Sequence, residues 1–471
     1  MLKFFKDFLI YGTASVLGKL IAIFLIPLYT NILTREEYGA MALITACKGI
    51  IDLFSNLNIH SGIVRDYYEP NINRKELVSS GLYSIICCSL ITLILMLLFS
   101  HTIVNNVLGI PLYYSPFIIM LLSIPTGSLQ SYLSILTRFL KKPTQFAIGG
   151  IVHLIIQVGV SVFCIVYLRI GIIGVFLGVL LGEIFSIGFF GYLNRHLFTL
   201  HFNWLYVKRA LVYAVPMLPA VLAGWIDSSL GQIIIGKEIS LEELAPYSLA
   251  LQIASVFTLI STAFQNVWSP FLYENYKNDG FNQTLLKLFK TIVWILVVIT
   301  LSFSIFSKEI VLVLSNEKYI AAAYYFPLLC IPMCLYLLFP IVGSGISITR
   351  ETKHVGISYC VGSAINIIAL IILIPLIGVF AVPLSLAFSR VFTFSYMIIH
   401  SHIRIHISFP ISHIFLLCFV SIVCYFIQYN NLGIMPRTIL FIIAITLFFL
   451  LVKKSYDVEL IHIISSRLQK K

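Results

Sequence analysis

Apolar stretches long enough to cross a lipid bilayer recur along the whole chain, and they restrict its fold more than any other feature. A transmembrane α-helix needs about 20 predominantly apolar residues. Such stretches are expected at residues 8–31, 39–61, 80–103, 113–137, 145–168, 172–194, 210–235, 244–267, 286–306, 325–348, 355–375, 377–399, 410–428 and 435–452. Charged residues make up only 11% of the chain, whereas a soluble domain carries about 25%. The sequence therefore predicts an all-α polytopic membrane protein with about fourteen transmembrane helices.

The loops between these stretches alternate in basicity. One set carries Arg65, Arg74, Lys75, Arg138, Lys141, Lys142, Arg195, Lys208, Arg209, Lys277, Lys287, Lys290, Arg350, Lys353 and Arg404. The other set has fewer basic residues, partly offset by Glu36, Glu37, Glu238, Glu242 and Glu243. Because basic loops stay on the cytoplasmic side, we expect both termini to be cytoplasmic. The net charge of +12 is then mostly a topology signal, and nucleic-acid binding is not expected.

Two short motifs recur at a spacing of about 200 residues, which indicates an internal repeat. Thr137-Arg138 returns as Thr349-Arg350, and Ile173-Gly174-Val175-Phe176 returns as Ile377-Gly378-Val379-Phe380. The spacing covers six helices, so both copies enter the membrane in the same direction. We expect two parallel six-helix lobes, at 1–200 and 201–405, that face each other across a central cleft. Residues 406–471 would add two transmembrane helices and a cytoplasmic tail.

Three charged residues fall near the middle of the first two expected helices: Lys19, Lys48 and Asp52. A lysine at that depth costs about 3 kcal/mol on insertion scales. Lys48 and Asp52 are four residues apart, so they share one helix face. Since one carboxylate cannot neutralise two ammonium groups, we expect these residues to give the cleft a net positive charge and to contact substrate. The alternative is structural: Asp52 pairs with one lysine, and backbone carbonyls hold the other.

The remaining intramembrane charges are Glu183, Asp227 and Arg390. Each is either a structural partner within its own lobe or a coupling charge. Pro216 and Pro219 predict a kink in the seventh helix, static or mobile, because proline removes a helical hydrogen bond.

No loop is large enough for a soluble catalytic domain, so we expect a protein that is not an enzyme and has no catalytic residues. The nine cysteines lie in apolar segments without metal-ligand spacing, and neither a metal site nor a cofactor is expected. The membrane potential, H⁺ or Na⁺ could drive transport. Asp52 is the leading acidic participant in such coupling, and Glu183 is the alternative.

The chain resembles a known family in several motifs. They are the run from Tyr11 to Lys19, Ile26-Pro27-Leu28-Tyr29, Leu33 to Gly39, Pro216 to Pro219, Trp225-Ile226-Asp227, Pro246 to Ala250, and Trp268-Ser269-Pro270. In combination they are similar to the Wzx-type polysaccharide flippases of the multidrug/oligosaccharidyl-lipid/polysaccharide (MOP) exporter superfamily. The family's usual Asp-Arg pair in the seventh helix is Asp227-Ser228 here, which weakens the expectation of a basic contact from the second lobe.

The resemblance implies that the protein moves undecaprenyl-diphosphate-linked oligosaccharide across a bacterial inner membrane for surface polysaccharide such as the O antigen of lipopolysaccharide, or capsule. It also implies a V-shaped cavity between two six-helix lobes, with Lys19 and Lys48 positioned to meet the diphosphate. The implied partners are the lipid-linked oligosaccharide, membrane lipid, and the polysaccharide polymerase and glycosyltransferases of the same pathway.

Three other protein classes are alternatives to this assignment. A multidrug or cation antiporter of the same superfamily would share the lobes but should have an acidic cavity. A major-facilitator transporter also has parallel six-helix lobes, but its signature after the second helix is absent from Ile63 to Tyr68. A membrane glycan polymerase would normally need a sizeable outer loop with clustered catalytic residues.

Overall fold

The computed structural model describes residues 18, 21, 23–140, 142–349, 351, 353–430 and 432–446. Throughout these ranges the secondary structure is helical, with no β-strand. The α-helices are α1 (Ile26–Ile32), α2 (Arg35–Asn56), α3 (Ile59–Asp66), α4 (Arg74–Leu98), α5 (Tyr114–Phe139), α6 (Pro143–Val162), α7 (Ile172–Asn194), α8 (Trp204–Ala214), α9 (Leu218–Trp225), α10 (Gly231–Ile234), α11 (Leu241–Asn275), α12 (Phe281–Ile305), α13 (Ser307–Leu314), α14 (Ala322–Val342), α15 (Ser344–Ile348), α16 (Lys353–Ile377), α17 (Ala381–Ile405), α18 (Ile411–Tyr429) and α19 (Ile434–Thr446).

Short 3₁₀ and π-helical turns, and one three-residue α-helical turn at Ser100–Thr102, continue several of these helices. The π-helical turns are Ile103–Leu108, Phe163–Tyr167, Ile226–Leu230 and Ile235–Ile239, and the 3₁₀ turns are Pro111–Tyr113, Arg195–Leu197, Val215–Met217, Glu317–Tyr319 and Gly378–Phe380.

Eleven helical segments of the described chain are long and apolar enough to cross a membrane. One of them, Lys353–Ile405, contains both α16 and α17, each of 25 residues. The predicted all-α polytopic membrane fold is confirmed. The first expected span, 8–31, lies largely outside the described residues, so the exact number of fourteen stays a prediction.

The start of α2 is fixed by a capping box. The Thr34 hydroxyl accepts a hydrogen bond from the backbone N–H of Glu37 (3.1 Å), and the Glu37 carboxylate accepts one from the backbone N–H of Thr34 (2.9 Å). These two bonds satisfy N–H groups that a helix start leaves free. The helix therefore begins at Arg35, earlier than the expected Gly39. It ends at Asn56, and the φ of 44° at the next residue, Leu57, breaks the expected continuous span over 39–61.

The seventh expected span is interrupted, as its prolines predict. The α-helix stops at Ala214, passes through the 3₁₀ turn Val215–Met217, and resumes as α9. Pro216 and Pro219 lie at this break, where their missing N–H groups prevent a regular ladder of hydrogen bonds. Before the break in chain order, α8 packs against α3 and α4. After the break, α9 packs against α16.

The remaining packing is mostly between helices close in sequence. Among the helices from α2 to α7, α7 packs on α5 and α6, and α2 packs on α4 and α5. Among those from α11 to α17, α14 packs on α11 and α17, and α16 packs on α17. We call these sets the N-terminal helices and the C-terminal helices. The division into lobes at 1–200, 201–405 and 406–471 stays a prediction.

At the end of the bundle that carries Arg35, the two sets of helices meet through α2 and α11. A Cβ atom added to Gly39 would lie 2.0 Å from the carbonyl oxygen of Leu241, so only glycine allows this approach. The Tyr38 hydroxyl donates a hydrogen bond to Gln252 Oε1 (2.9 Å), and Arg35 Nη2 donates one to the Glu242 carbonyl (2.9 Å). These contacts hold α2 against α11 and close the bundle at this end.

Candidate functional site

Lys48 of α2 lies between two carboxylates. Its Nζ is 2.9 Å from Asp52 Oδ2 on the same helix and 3.9 Å from Glu183 Oε1 on α7. Thr126 of α5 donates a hydrogen bond to the other Glu183 oxygen (2.6 Å). We call these four residues the Lys48 cluster. It joins three N-terminal helices around one ion-pair network.

The space for this cluster depends on small residues of α5. A Cβ atom at Gly127 would lie 3.0 Å from Glu183 Oε1 and 3.1 Å from Lys48 Nζ. One residue further on, the Ser128 hydroxyl is hydrogen-bonded to that of Ser55 (2.7 Å), which fixes α5 against α2. The glycine therefore lets the ammonium group and the carboxylate approach each other beside the α5 backbone.

The structure adds a second carboxylate, Glu183, to the charges around Lys48. The expected net positive charge rests on Lys19 together with Lys48 and Asp52, and it stays a prediction. One lysine and two carboxylates give the Lys48 cluster a formal charge of −1. Lys19 itself lies outside the described residues. The side chain of Asp52 is 35% exposed and that of Glu183 only 9% exposed, so Asp52 is the more accessible of the two acids.

The structure also brings together Asp227 and Arg390, which the sequence presented as separate charges. Arg390 Nη2 lies 3.1 Å from Asp227 Oδ2. The other Asp227 oxygen accepts hydrogen bonds from the Ser363 hydroxyl (3.2 Å) and the Asn366 amide (3.1 Å) on α16. The pair links the π turn Ile226–Leu230 to α17.

Arg390 is also close to three aromatic rings. Its guanidinium carbon lies 5.3 Å from the ring centre of Tyr336 and 5.7 Å from those of Phe339 and Tyr359. Such distances allow cation–π attraction. Its Nη1 is buried and has no hydrogen-bond partner within the described part of the chain. The guanidinium is thus held in place with one donor nitrogen unused.

Arg390 and Asp227 line a cavity of about 1290 Å³ among the C-terminal helices. We call it the C-terminal cavity. Its lining includes the broken seventh span, α11, α14, α16 and α17, represented by Pro216, Met217, Pro219, Gly224, Ser228, Thr262, Met333, Tyr336, Lys353, Tyr359 and Cys360. Lys353 is exposed at the first residue of α16, so it stands at the rim, whereas Arg390 lies within the membrane-spanning part of α17.

A smaller cavity of about 480 Å³ lies between α2 and the segments that face it. Its lining comes from α2 (Tyr38, Met41, Ala42, Thr45, Ala46), from the seventh span (Ser228, Ser229, Gln232) and from α11 (Ser248, Leu251, Gln252). Ser228 and Leu251 line both cavities, so the two spaces adjoin. Neither Lys48 nor Asp52 is among the residues that line these two cavities.

Sequence reasoning missed three residues of the C-terminal cavity. Lys353 was counted only as a basic loop residue, yet it lies at the cavity rim. The sequence does not mark Tyr336 and Tyr359 as cavity-lining residues. Aromatic residues within apolar helices cannot be distinguished from ordinary core residues until the arrangement of the helices is known. Nothing in the described ranges groups three or more His, Cys, Asp or Glu side chains in a way that could hold a metal ion.

Two further ion pairs lie outside the cavities. Arg437 Nη1 donates a hydrogen bond to Glu309 (2.9 Å), and Arg404 pairs with Glu351, a carboxylate that also lies 3.3 Å from His354 Nε2. The first joins α19 to α13, and the second joins the last turn of α17 to the residue Glu351 before α16. Both are best explained as structural.

Comparison with known proteins identifies the family. Residues 29–324, more than half of the chain, match the family described as "Polysaccharide biosynthesis protein". No curated protein matches the chain. Among solved structures, the lipid II flippase MurJ in an inward closed conformation is similar with a TM-score of 0.74 and 15% identity, over 95% of this chain and 99% of that one.

Multidrug transporters have related structures. An inward-facing multidrug resistance MATE family transporter of the MOP superfamily gives a TM-score of 0.65 at 14% identity, over 84% of this chain and 94% of that one. The Vibrio cholerae MATE transporter VcmN, as a mutant, gives 0.59 at 11% identity, over 88% and 98%. Identities this low show a common fold and nothing finer. The chain belongs to the polysaccharide biosynthesis protein family, and its fold is that of the MOP exporter superfamily.

Proposed function

We propose that this protein is a flippase that moves undecaprenyl-diphosphate-linked oligosaccharide across a bacterial inner membrane for the synthesis of a surface polysaccharide, such as O antigen or capsule. One observation carries the proposal: a member of a polysaccharide biosynthesis family has a transporter fold with a large cavity among its membrane-spanning helices. The polymerase and glycosyltransferases of the same pathway would be its functional partners.

Alternating access between two parallel six-helix lobes is the mechanism we propose. It is supported by the asymmetry of the bundle. The end that carries Arg35 is closed by Gly39 against Leu241, whereas Lys353 stands exposed at the rim of the C-terminal cavity near the other end. Because the basic loops belong to the Lys353 end, we place that end and both termini in the cytoplasm. The conformation would then be one that receives substrate from the cytoplasmic side.

The Lys48 cluster is the proposed coupling site. Lys48 holds two carboxylates in a membrane interior, so uptake of a proton or cation by either acid would weaken its pairing and bias the packing of α2 against α7. Asp52 is the more accessible acid and Glu183 the more buried one. The membrane potential, H⁺ or Na⁺ would supply the driving force. Contact of Lys19 and Lys48 with the diphosphate remains part of the proposal, with Lys48 released from a carboxylate when substrate arrives.

A multidrug or cation antiporter is the second candidate. The observation that favours it is the excess of carboxylates over lysine in the described Lys48 cluster, together with the likeness to MATE transporters. An antiporter of this kind would lower the accumulation of cationic dyes in cells and would leave surface glycan unchanged on deletion.

Deletion of the gene in its own organism separates these functions. For a flippase we expect loss of the surface polysaccharide and accumulation of the complete lipid-linked oligosaccharide unit on the cytoplasmic leaflet. If the units reach the outer leaflet but are not joined, the protein is a glycan polymerase. Unchanged glycan with increased dye retention would identify an antiporter.

A further inference from the structure

The C-terminal cavity has no part in the diphosphate contact, which rests on Lys19 and Lys48. Its volume of about 1290 Å³ is larger than the roughly 300–1,000 Å³ of pockets that enclose a drug-sized ligand. It therefore has room for a ligand of several rings, such as the oligosaccharide of a lipid-linked substrate.

The charged side chains of this cavity favour an anion. Lys353 and Arg390 line it against a single carboxylate, Asp227, which leaves one formal positive charge. Glu351, two residues before Lys353, is paired with Arg404 and so does not offset that charge. Because Asp227 neutralises Arg390, the excess charge lies on Lys353 at the rim, where it attracts an anionic group to the mouth of the cavity.

Arg390 is prepared to receive an acceptor. Asp227 holds its Nη2, and the rings of Tyr336 and Tyr359 fix the plane of the guanidinium. Its Nη1 is buried and unpaired within the described residues. An unpaired buried N–H is costly, and a carboxylate oxygen from a ligand would remove that cost through a charge-assisted hydrogen bond.

The rest of the lining suits a carbohydrate. Tyr336 and Tyr359 present aromatic faces with hydroxyl edges, and Ser228 and Thr262 add further hydroxyl groups. A sugar ring also has apolar C–H faces and hydroxyl edges, so both parts of it find a partner here. An apolar cavity with a few placed polar groups is typical of small-molecule sites.

We propose that the C-terminal cavity binds the glycan of the lipid-linked substrate and selects glycans that carry a sugar carboxylate, with Arg390 and Lys353 as the contacts of that carboxylate. This proposal rests on the proposed flippase function. Lys353 at the rim meets the acidic sugar first, and Arg390 holds it deeper in the cavity.

The test uses two substrates that differ only in the sugar acid. The full-length protein is reconstituted into liposomes with a fluorescent polyprenyl-diphosphate trisaccharide that contains one uronic acid, or with the same compound after reduction of its carboxyl group to an alcohol. Both probes keep the diphosphate, so only the sugar charge differs. We expect the acidic glycan to cross about tenfold faster at low substrate concentration, as one charged hydrogen bond would give.

Two variants test which residues produce the preference for the acidic glycan. Lys353→Gln alters an exposed residue and should not affect folding; it should slow the acidic glycan several times more than the reduced one. The double variant Asp227→Asn with Arg390→Gln removes the ion pair without leaving a buried charge alone, and it should reduce the preference to about one. Lys75→Gln, which changes an exposed basic residue in the first turn of α4, is the matched control and should behave as wild type.

The outcomes separate this proposal from the flippase function. If wild-type protein moves both glycans at equal rates, the flippase function stands and the carboxylate selection is overturned. If Lys353→Gln slows both glycans equally, the group recognised is the diphosphate, which also overturns it. If neither glycan moves, the flippase function itself has failed.

Discussion

Lys48 of α2 and Glu183 of α7 face each other across a helix interface, with 3.9 Å between Nζ and Oε1. Glu183 has no charged partner on its own helix, and its partner comes from a helix distant in sequence. Three helices thus meet at one network of an ammonium group, two carboxylates and a hydroxyl.

Removing Lys48 alone should destabilise the protein, because it leaves two carboxylates close together inside the membrane. Removing one partner of a buried ion pair costs about 3–5 kcal/mol of folding free energy. Because Asp52 is partly exposed, we expect the loss of folding free energy to lie at the lower end of this range. We expect Lys48→Met to lower the thermal unfolding temperature of the detergent-purified protein markedly.

The triple variant Lys48→Met, Asp52→Asn, Glu183→Gln is the matched control. It removes all three charges, so we expect it to recover most of the unfolding temperature while remaining inactive in restoring surface glycan. Recovery of both stability and activity would mean that the cluster is structural only.

Gly39 should be essential for closing the Arg35 end of the bundle. A methyl group at this position would collide with the Leu241 carbonyl, so Gly39→Ala should keep α2 and α11 apart and abolish transport at normal abundance. Gly150→Ala is a suitable control, because a Cβ atom there has nothing within 4 Å. Full transport by Gly39→Ala would show that this contact is not needed in the cycle.

The Asp227–Arg390 pair should behave as one unit in stability measurements. Each single change, Asp227→Asn or Arg390→Gln, leaves an unmatched charge and should reduce abundance in the membrane. The double variant should be more abundant than either single one, with a coupling of about 0.5–3 kcal/mol in a double-mutant cycle. Additive effects of the two changes would contradict the ion pair.

The Glu351–Arg404 contact predicts a pH dependence outside the membrane-spanning segments. The hydrogen bond from Arg404 holds the pKa of the Glu351 carboxyl below its ordinary value. A lowered pKa in the folded state stabilises the protein above the unfolded pKa of about 4.3, and that contribution is lost as the pH falls through the lower folded value.

We therefore expect Glu351→Gln to lower the unfolding temperature by a small amount above about pH 5, with the difference from wild type shrinking below about pH 4.3. Glu69→Gln, an exposed carboxylate of another loop, controls for general surface charge. A difference that grows as the pH falls below about 4.3 would have the wrong sign for this contact.

The fold was largely predictable from the sequence because apolar length and charge patterning dictate membrane spans. The pairing of Lys48 with Asp52 was predictable too, since residues four apart share a helix face. The capping box at Thr34 was visible in the sequence, and using it would have placed the start of α2 correctly.

The remaining features of the site depend on how distant helices are arranged. Nothing in the order of residues indicates that Glu183 faces Lys48 or that Arg390 reaches Asp227. The same holds for Tyr336 and Tyr359, which look like core residues in a one-dimensional pattern and become cavity walls only when five segments assemble around them.

The central claim is that the protein moves a lipid-linked oligosaccharide between leaflets, and a quenching assay tests it most directly. Full-length protein is reconstituted with a head-group-labelled polyprenyl-diphosphate oligosaccharide, and an impermeant reductant then destroys the label in the outer leaflet. The account predicts that nearly all of the label becomes accessible with wild-type protein, and only about half with Gly39→Ala or with protein-free liposomes, since a symmetric bilayer has two leaflets. Protection of half of the label in the presence of well-folded wild-type protein would contradict it.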